Sequence, residues 1–289
     1  MTSPTAPPPP KRPPTPPPPS ASAPAAMSSL LRPKLSMSVP TPEPWRVVFT
    51  AVEGFGKSTL ASYAEKPAIL MSRGETGYRT LLAHGLAPAV QAVELTEWQH
   101  TIDTIAELTE DSQGIKTLCL DALSGFTDQC IKYVCNRDFN GDFGEKGFSS
   151  YQRGYGIAAA EWIKLLVALD ALRLKQNVKI LILSHVQITP FKNPEGADFD
   201  RYTPDIHAKL WSPTFKWSDA TFFGRYITVI DQENQKKTKG KGIGGTERVV
   251  YTQRRDAYDA KNRYAMPEGI DISNDPSLMF NEIFSHITK

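Results

Sequence analysis

Between Trp45 and Gln253 the chain alternates short apolar runs with longer stretches of helical periodicity, the pattern that βαβ units impose. Arg46–Thr50, Ala68–Met71, Thr117–Leu120, Lys179–Ser184, Thr221–Val229 and Arg248–Gln253 read as strands. Their apolar runs suggest burial on both faces, which is the habit of parallel sheets. Helices are expected over Ser58–Ala64, Thr96–Leu108, Leu123–Val134 and Tyr155–Leu174. The basic, glycine-rich stretch Lys236–Gly245 joins the last two strands and reads as a long hairpin, not a crossover. The fold class that follows is α/β, with a mainly parallel central sheet and an antiparallel hairpin at its carboxy-terminal edge.

Ahead of this pattern the composition is different. Residues 1–44 hold two thirds of the 24 prolines. Such a segment buries too little apolar surface to offset its ordering entropy, so a disordered, polyproline-like tail is expected there, with one globular domain over 45–289. The tail offers proline-binding modules a place to dock. A formal net charge of +2 announces no nucleic-acid partner by itself, so such a role must come from local clusters, of which Lys236, Lys237, Lys239 and Lys241 form the most basic. Three cysteines without metal-ligand spacing fit a reducing cytoplasm. No apolar run approaches the roughly 20 residues of a membrane span, so no membrane role is expected.

The chemistry concentrates where strands end. Ala51-Val-Glu-Gly-Phe-Gly-Lys-Ser-Thr59 follows a strand and opens a helix, the context that makes a phosphate loop of such a run. Glu53 to Thr59 are the expected nucleotide-binding residues. Gly54 and Gly56, with Phe55 between them, let backbone N–H groups converge on phosphate oxygens, and the helix start adds its positive dipole end. Lys57 then reaches the β- and γ-phosphates, and the Ser58 hydroxyl ligates Mg2+. Ala51 stands where the pattern normally has its first glycine. The strand Thr117-Leu-Cys-Leu-Asp121 ends in a carboxylate, which places Asp121 at the carboxyl edge of the sheet, able to hold the same metal. ATP and Mg2+ are therefore the expected ligands.

Two further stretches carry local signals. Arg137 to Arg153 interleaves Phe139, Phe143, Phe148 and Tyr151 with Arg137, Lys146 and Arg153 among glycines, and stacking planes beside phosphate partners are how single-stranded nucleic acid is held. Pro190–Thr214 reads as a long loop, of a length that is either functional or disordered, and its Lys192 and Arg201 are candidate contacts to single-stranded DNA.

The phosphate loop, Leu118-Cys-Leu-Asp-Ala122, Ser184-His185, Asn193 to Tyr202 and Tyr258-Asp-Ala-Lys-Asn-Arg263 together resemble the RecA-like P-loop ATPases of bacteriophages, described as phage nucleotide-binding or single-strand-annealing ATPases, over about residues 45–265. The resemblance implies a three-layer RecA-like domain and an ATPase acting on single-stranded DNA in recombination, repair or replication. It implies a homo-oligomer and single-strand-binding or recombination proteins as partners. It also implies roles: Glu75 as the base that polarises water, with Glu53 as second candidate; His185 or Ser184 as a γ-phosphate sensor; and Lys261 or Arg263 as a cation presented to a neighbouring subunit's ATP. Two other readings stay open: a nucleotide-gated assembly module recruited through the proline-rich tail, and a small-molecule P-loop kinase.

Overall fold

The structure is a computed structural model that describes residues 39–230 and 242–287. Most of the proline-rich segment and the four-lysine cluster lie outside these residues. Tertiary contacts divide the chain into residues 1–41 and 42–289, and the second unit holds every element described below.

Eight strands form the central sheet, in the order β10-β9-β8-β1-β5-β4-β2-β3. Its parallel part consists of β1 (Arg46–Ala51), β2 (Pro67–Ser72), β3 (Gln91–Leu95), β4 (Thr117–Asp121), β5 (Lys179–Ser184) and β8 (Ala220–Ile230). Strands β9 (Gly242–Tyr251) and β10 (Gly269–Ile272) add an antiparallel edge. The expected mainly parallel sheet with an antiparallel hairpin edge is thus present. The connection after β5 departs from expectation: instead of a long loop over Pro190–Thr214, β6 (Val186–Phe191) and β7 (Phe199–Pro204) pair as a separate two-stranded ribbon, and α6 (Ala208–Trp217) follows. Pro190 sits opposite Asp200 in that ribbon, where a strand with one unpaired edge tolerates a residue lacking an N–H.

Successive side chains of β1 point to opposite faces and build two cores. Val48 joins Leu70, Leu118 and Ile180 under α3 (Trp98–Glu110), α4 (Leu123–Phe139) and α5 (Arg153–Gln176). Val47 and Phe49 join Ile69, Leu181 and Phe222 under α1 (Lys57–Ser62), α2 (Gly77–Ala83) and α7 (Met279–Phe284). Helices on both faces of a mostly parallel sheet make three layers. Helix α3 buries Trp98, Thr101, Ile105 and Leu108, a helical stripe of the kind that packs on a core. Its Trp98 Nε1 donates to Glu161 of α5 at 3.1 Å, and Trp162 Nε1 donates to Thr214 of α6 at 2.7 Å, so both buried indoles have partners. No helix among the described residues is long and apolar enough to cross a membrane.

One close approach fixes how α4 leaves the Asp121 strand. A Cβ on Gly125 would fall 2.1 Å from Ser72 Oγ and 2.6 Å from Ser72 Cβ, and Ser72 Oγ accepts the Ala122 N–H at 3.3 Å. We expect Gly125→Ala to cost about 1–3 kcal/mol through overpacking, measured by urea unfolding. Wild-type stability in that variant would contradict this packing.

Candidate functional site

The chain turns out of β1 after Ala51, whose buried residue pairs with Gly224 of β8 and whose φ is not positive. Alanine therefore serves where the common pattern has glycine. Gly54 and Gly56 do need their residue type, with φ of +72° and +105°, a region that a side chain strains. The first backbone bond of α1 runs from Leu60 N–H to Gly56 O at 2.8 Å, so the amides of Lys57, Ser58 and Thr59 precede the helical ladder, as the first donors of any helix do. Phe55 contributes only backbone here: its ring is buried in the core, against the Cα of Gly224. Glu53 is exposed in the turn.

Lys57 is buried, and its Nζ donates to the carbonyl oxygens of Ala51 at 3.1 Å and Val52 at 3.3 Å. Burial lowers its pKa, against the opposing pull of Asp121, Glu75 and Glu53. Ser58 Oγ donates to Asp121 Oδ2 at 2.6 Å, joining the two motifs across 63 residues. Burial raises the Asp121 pKa, the Ser58 bond opposes that shift, and Glu75 adds to it. The two hard oxygens brought together, a hydroxyl and a carboxylate, suit Mg2+, which favours one or two protein oxygens completed by water and phosphate. A bound divalent cation would also oppose that upward shift.

At the adjoining strand ends the structure brings two more expected residues together. Glu75 follows β2 in a turn closed by its own N–H to Ser72 O at 3.1 Å. His185 follows β5, and its Nε2 lies 3.3 Å from Glu75 Oε1. This bond is the main reason the Glu75 pKa is lowered; burial opposes it, and Lys57 adds to the lowering. The Ser184 hydroxyl instead donates to the His185 carbonyl at 2.9 Å. Lys57, Ser58, Glu75, Asp121 and His185 thus meet at the carboxyl edge of the parallel strands, the position where open α/β sheets take ligands.

Other expected residues lie elsewhere. Lys261 pairs through its backbone with Thr221, near the amino end of β8. Its Nζ donates to the Phe215 carbonyl, and burial lowers its pKa to about 8. Arg263 donates to Asp219 at 3.0 Å and stays well exposed. Both sit at the end of the sheet opposite the phosphate loop.

In the 137–153 segment, Phe148 departs from the expected stacking plane: it is fully buried, with Phe139, Phe143 and Tyr155 packed around it at ring-centre distances of 5.4, 5.2 and 4.9 Å. Arg137 likewise is engaged, in α4, with Glu161 and Asp138 at 2.8 Å each. Phe143, Lys146, Tyr151 and Arg153 remain exposed. Lys146 and Arg153 line one cavity of about 350 Å³ together with Phe139 and Ser150. On the ribbon, Lys192 pairs with Asp198 at 2.5 Å near the tip. Arg201 is largely buried, bound to Asp259 at 2.5 Å with its guanidinium over Phe191, so it departs from the expected exposed contact.

Two contacts escaped the sequence reading. Tyr226 Oη donates to the Gly54 carbonyl at 2.6 Å, and Arg248 Nη1 donates to the Phe55 carbonyl at 3.0 Å. Nothing in the spacing of the motif points to either residue, because only the β8–β9 register delivers them.

Against known families, the model of a family described as "AAA domain" matches residues 43–264. A search of curated proteins gives no match.

Proposed function

We propose, from the premise that the chain belongs to the AAA-domain family of P-loop ATPases, that it hydrolyses ATP with Mg2+ and that single-stranded DNA stimulates it. Nucleotide binding and ATPase activity come with the family; the metal, the DNA and the roles of single residues are our reading. The observation that carries it is the convergence of Lys57, Ser58, Asp121, Glu75 and His185 on one sheet edge.

In this reading the amides before Leu60 and the Lys57 ammonium hold the triphosphate. Mg2+, when bound, neutralises charge on the phosphate oxygens, and Ser58 and Asp121 are the residues that would hold it. Glu75 accepts a proton from the attacking water, and its lowered pKa keeps it ionised at neutral pH. His185, hydrogen-bonded to Glu75 and continuous with the β6–β7 ribbon, reports the state of the site to that ribbon.

The finer placement, among RecA-like phage ATPases of recombination, repair or replication, rests on the motifs in 45–265. Single-stranded DNA is supported by the exposed Phe143, Lys146, Tyr151 and Arg153. A homo-oligomer in which the exposed Arg263 reaches a neighbouring site, and a cytoplasmic location, belong to the same proposal. ATP turnover measured with and without a single-stranded oligonucleotide, at rising salt, tests it. We expect stimulation that fades as salt rises, because phosphate contacts release counterions. Turnover indifferent to the oligonucleotide at every salt would remove DNA from the reading and leave the ATPase.

A further inference from the structure

Tyr226 on β8 and Arg248 on β9 are partners in the hairpin register, so their side chains share one face of the ladder. That face meets the outer side of the phosphate loop. Tyr226 holds the Gly54 carbonyl at 2.6 Å and Arg248 the Phe55 carbonyl at 3.0 Å. Arg248 is itself anchored, because its Nη2 donates to the Ser273 carbonyl at 2.6 Å and its guanidinium lies 5.8 Å from the centre of the Phe55 ring. A Cβ on Gly56 would come within 3.3 Å of Arg248 Nη1.

The carbonyl and the following N–H of a trans peptide point in opposite directions within one plane. Fixing the Gly54 carbonyl on the hairpin therefore fixes the Phe55 N–H, which in turn makes a long 3.4 Å bond to Val52 O. Fixing the Phe55 carbonyl turns the Gly56 N–H away from the hairpin. The Phe55 carbonyl is also the acceptor that Thr59 N–H would use if α1 began a residue earlier. With Arg248 on it, the ladder opens instead with Leu60 N–H to Gly56 O.

We propose that Tyr226 and Arg248 are positioning residues for the triphosphate: a clamp on the loop's outer carbonyls that aims its amides at the anion and makes nucleotide affinity depend on the β8–β9 hairpin. The clamp rests on the ATPase reading for its purpose, but its effect on the loop is measurable without nucleotide.

The test uses full-length Arg248→Ala, Arg248→Lys and Tyr226→Phe, with amide hydrogen exchange over 52–60 in the free protein and affinity for a fluorescent ATP analogue. In Arg248→Ala, loop exchange should rise and affinity fall by about tenfold, the scale of a lost hydrogen bond from a charged donor, while exchange in β1 and β4 stays unchanged. Arg248→Lys, which keeps a cationic donor, should recover part of both. Tyr226→Phe keeps the ring, loses only the hydroxyl, and should shift both in the same direction by a smaller factor. If Arg248→Ala does not fold, the other two variants decide. Unchanged loop exchange and affinity in the folded variants would overturn the clamp, as would a rise in exchange spread evenly over the chain. Faster loop exchange in a protein whose wild type binds no nucleotide would uphold the clamp and sink the ATPase reading.

Discussion

Replacing Glu75 with glutamine should leave ATP bound and nearly stop its hydrolysis. The side chain is half-buried at the end of β2, fixed by its own turn and by the 3.3 Å contact with His185. Glutamine keeps the shape and loses the ability to take a proton. A positioned base contributes about 10²–10⁴-fold to rate, so kcat should fall by that factor while ATP affinity holds. The pKa direction sharpens the expectation: His185 holds the Glu75 carboxyl below its usual range. On the acid side, the contribution that Glu75→Gln removes should therefore persist through the ordinary glutamate range and be lost only below it. A Glu75→Gln enzyme with wild-type kcat would pass the role to Glu53, which lies exposed in the loop.

Lys57→Ala should remove more, because it acts on binding and chemistry together. The ammonium is buried against two neutral carbonyls of its own loop, and burial lowers its pKa while three carboxylates resist. A phosphate oxyanion is a stronger partner than a neutral carbonyl, so Nζ should exchange the one for the other when nucleotide enters. Deleting it should weaken ATP binding about 10- to 100-fold, the worth of a charged hydrogen bond, and lower kcat more than about 100-fold, the worth of a donor aimed at developing charge. The side chain's bonds are confined to the loop, so the circular dichroism spectrum should not change. Wild-type turnover in a folded Lys57→Ala protein would show that the lysine never meets phosphate.

Lys57, Ser58 and Asp121 were legible because their signals are local, whereas Glu75 and His185 entered only through the family resemblance. The five inner parallel strands read as apolar runs since both faces are buried, and the phosphate loop and Asp121 sit at strand ends that the same runs define. Edge elements carried no such signal. In β3, Gln91 to Val93 are exposed, and the β6–β7 ribbon carries prolines and charges outside the central sheet, its two strands pairing with each other. Composition also could not tell a ring that faces solvent from one that completes a core: Phe148 and Tyr151 are three residues apart, one fully buried and the other fully exposed. Contacts set by distant register were equally invisible. The bond between Glu75 and His185 spans 110 residues, and Arg248 reaches Phe55 across 193.

The most direct measurement is calorimetric titration of the full chain with ATP, with Mg2+ and with a chelator. Saturable binding of one ATP per chain, weakened by the chelator and by Asp121→Asn, is the expected result. No heat and no retention of ATP by correctly folded protein at any Mg2+ concentration would contradict the phosphate-loop site and every role built on it.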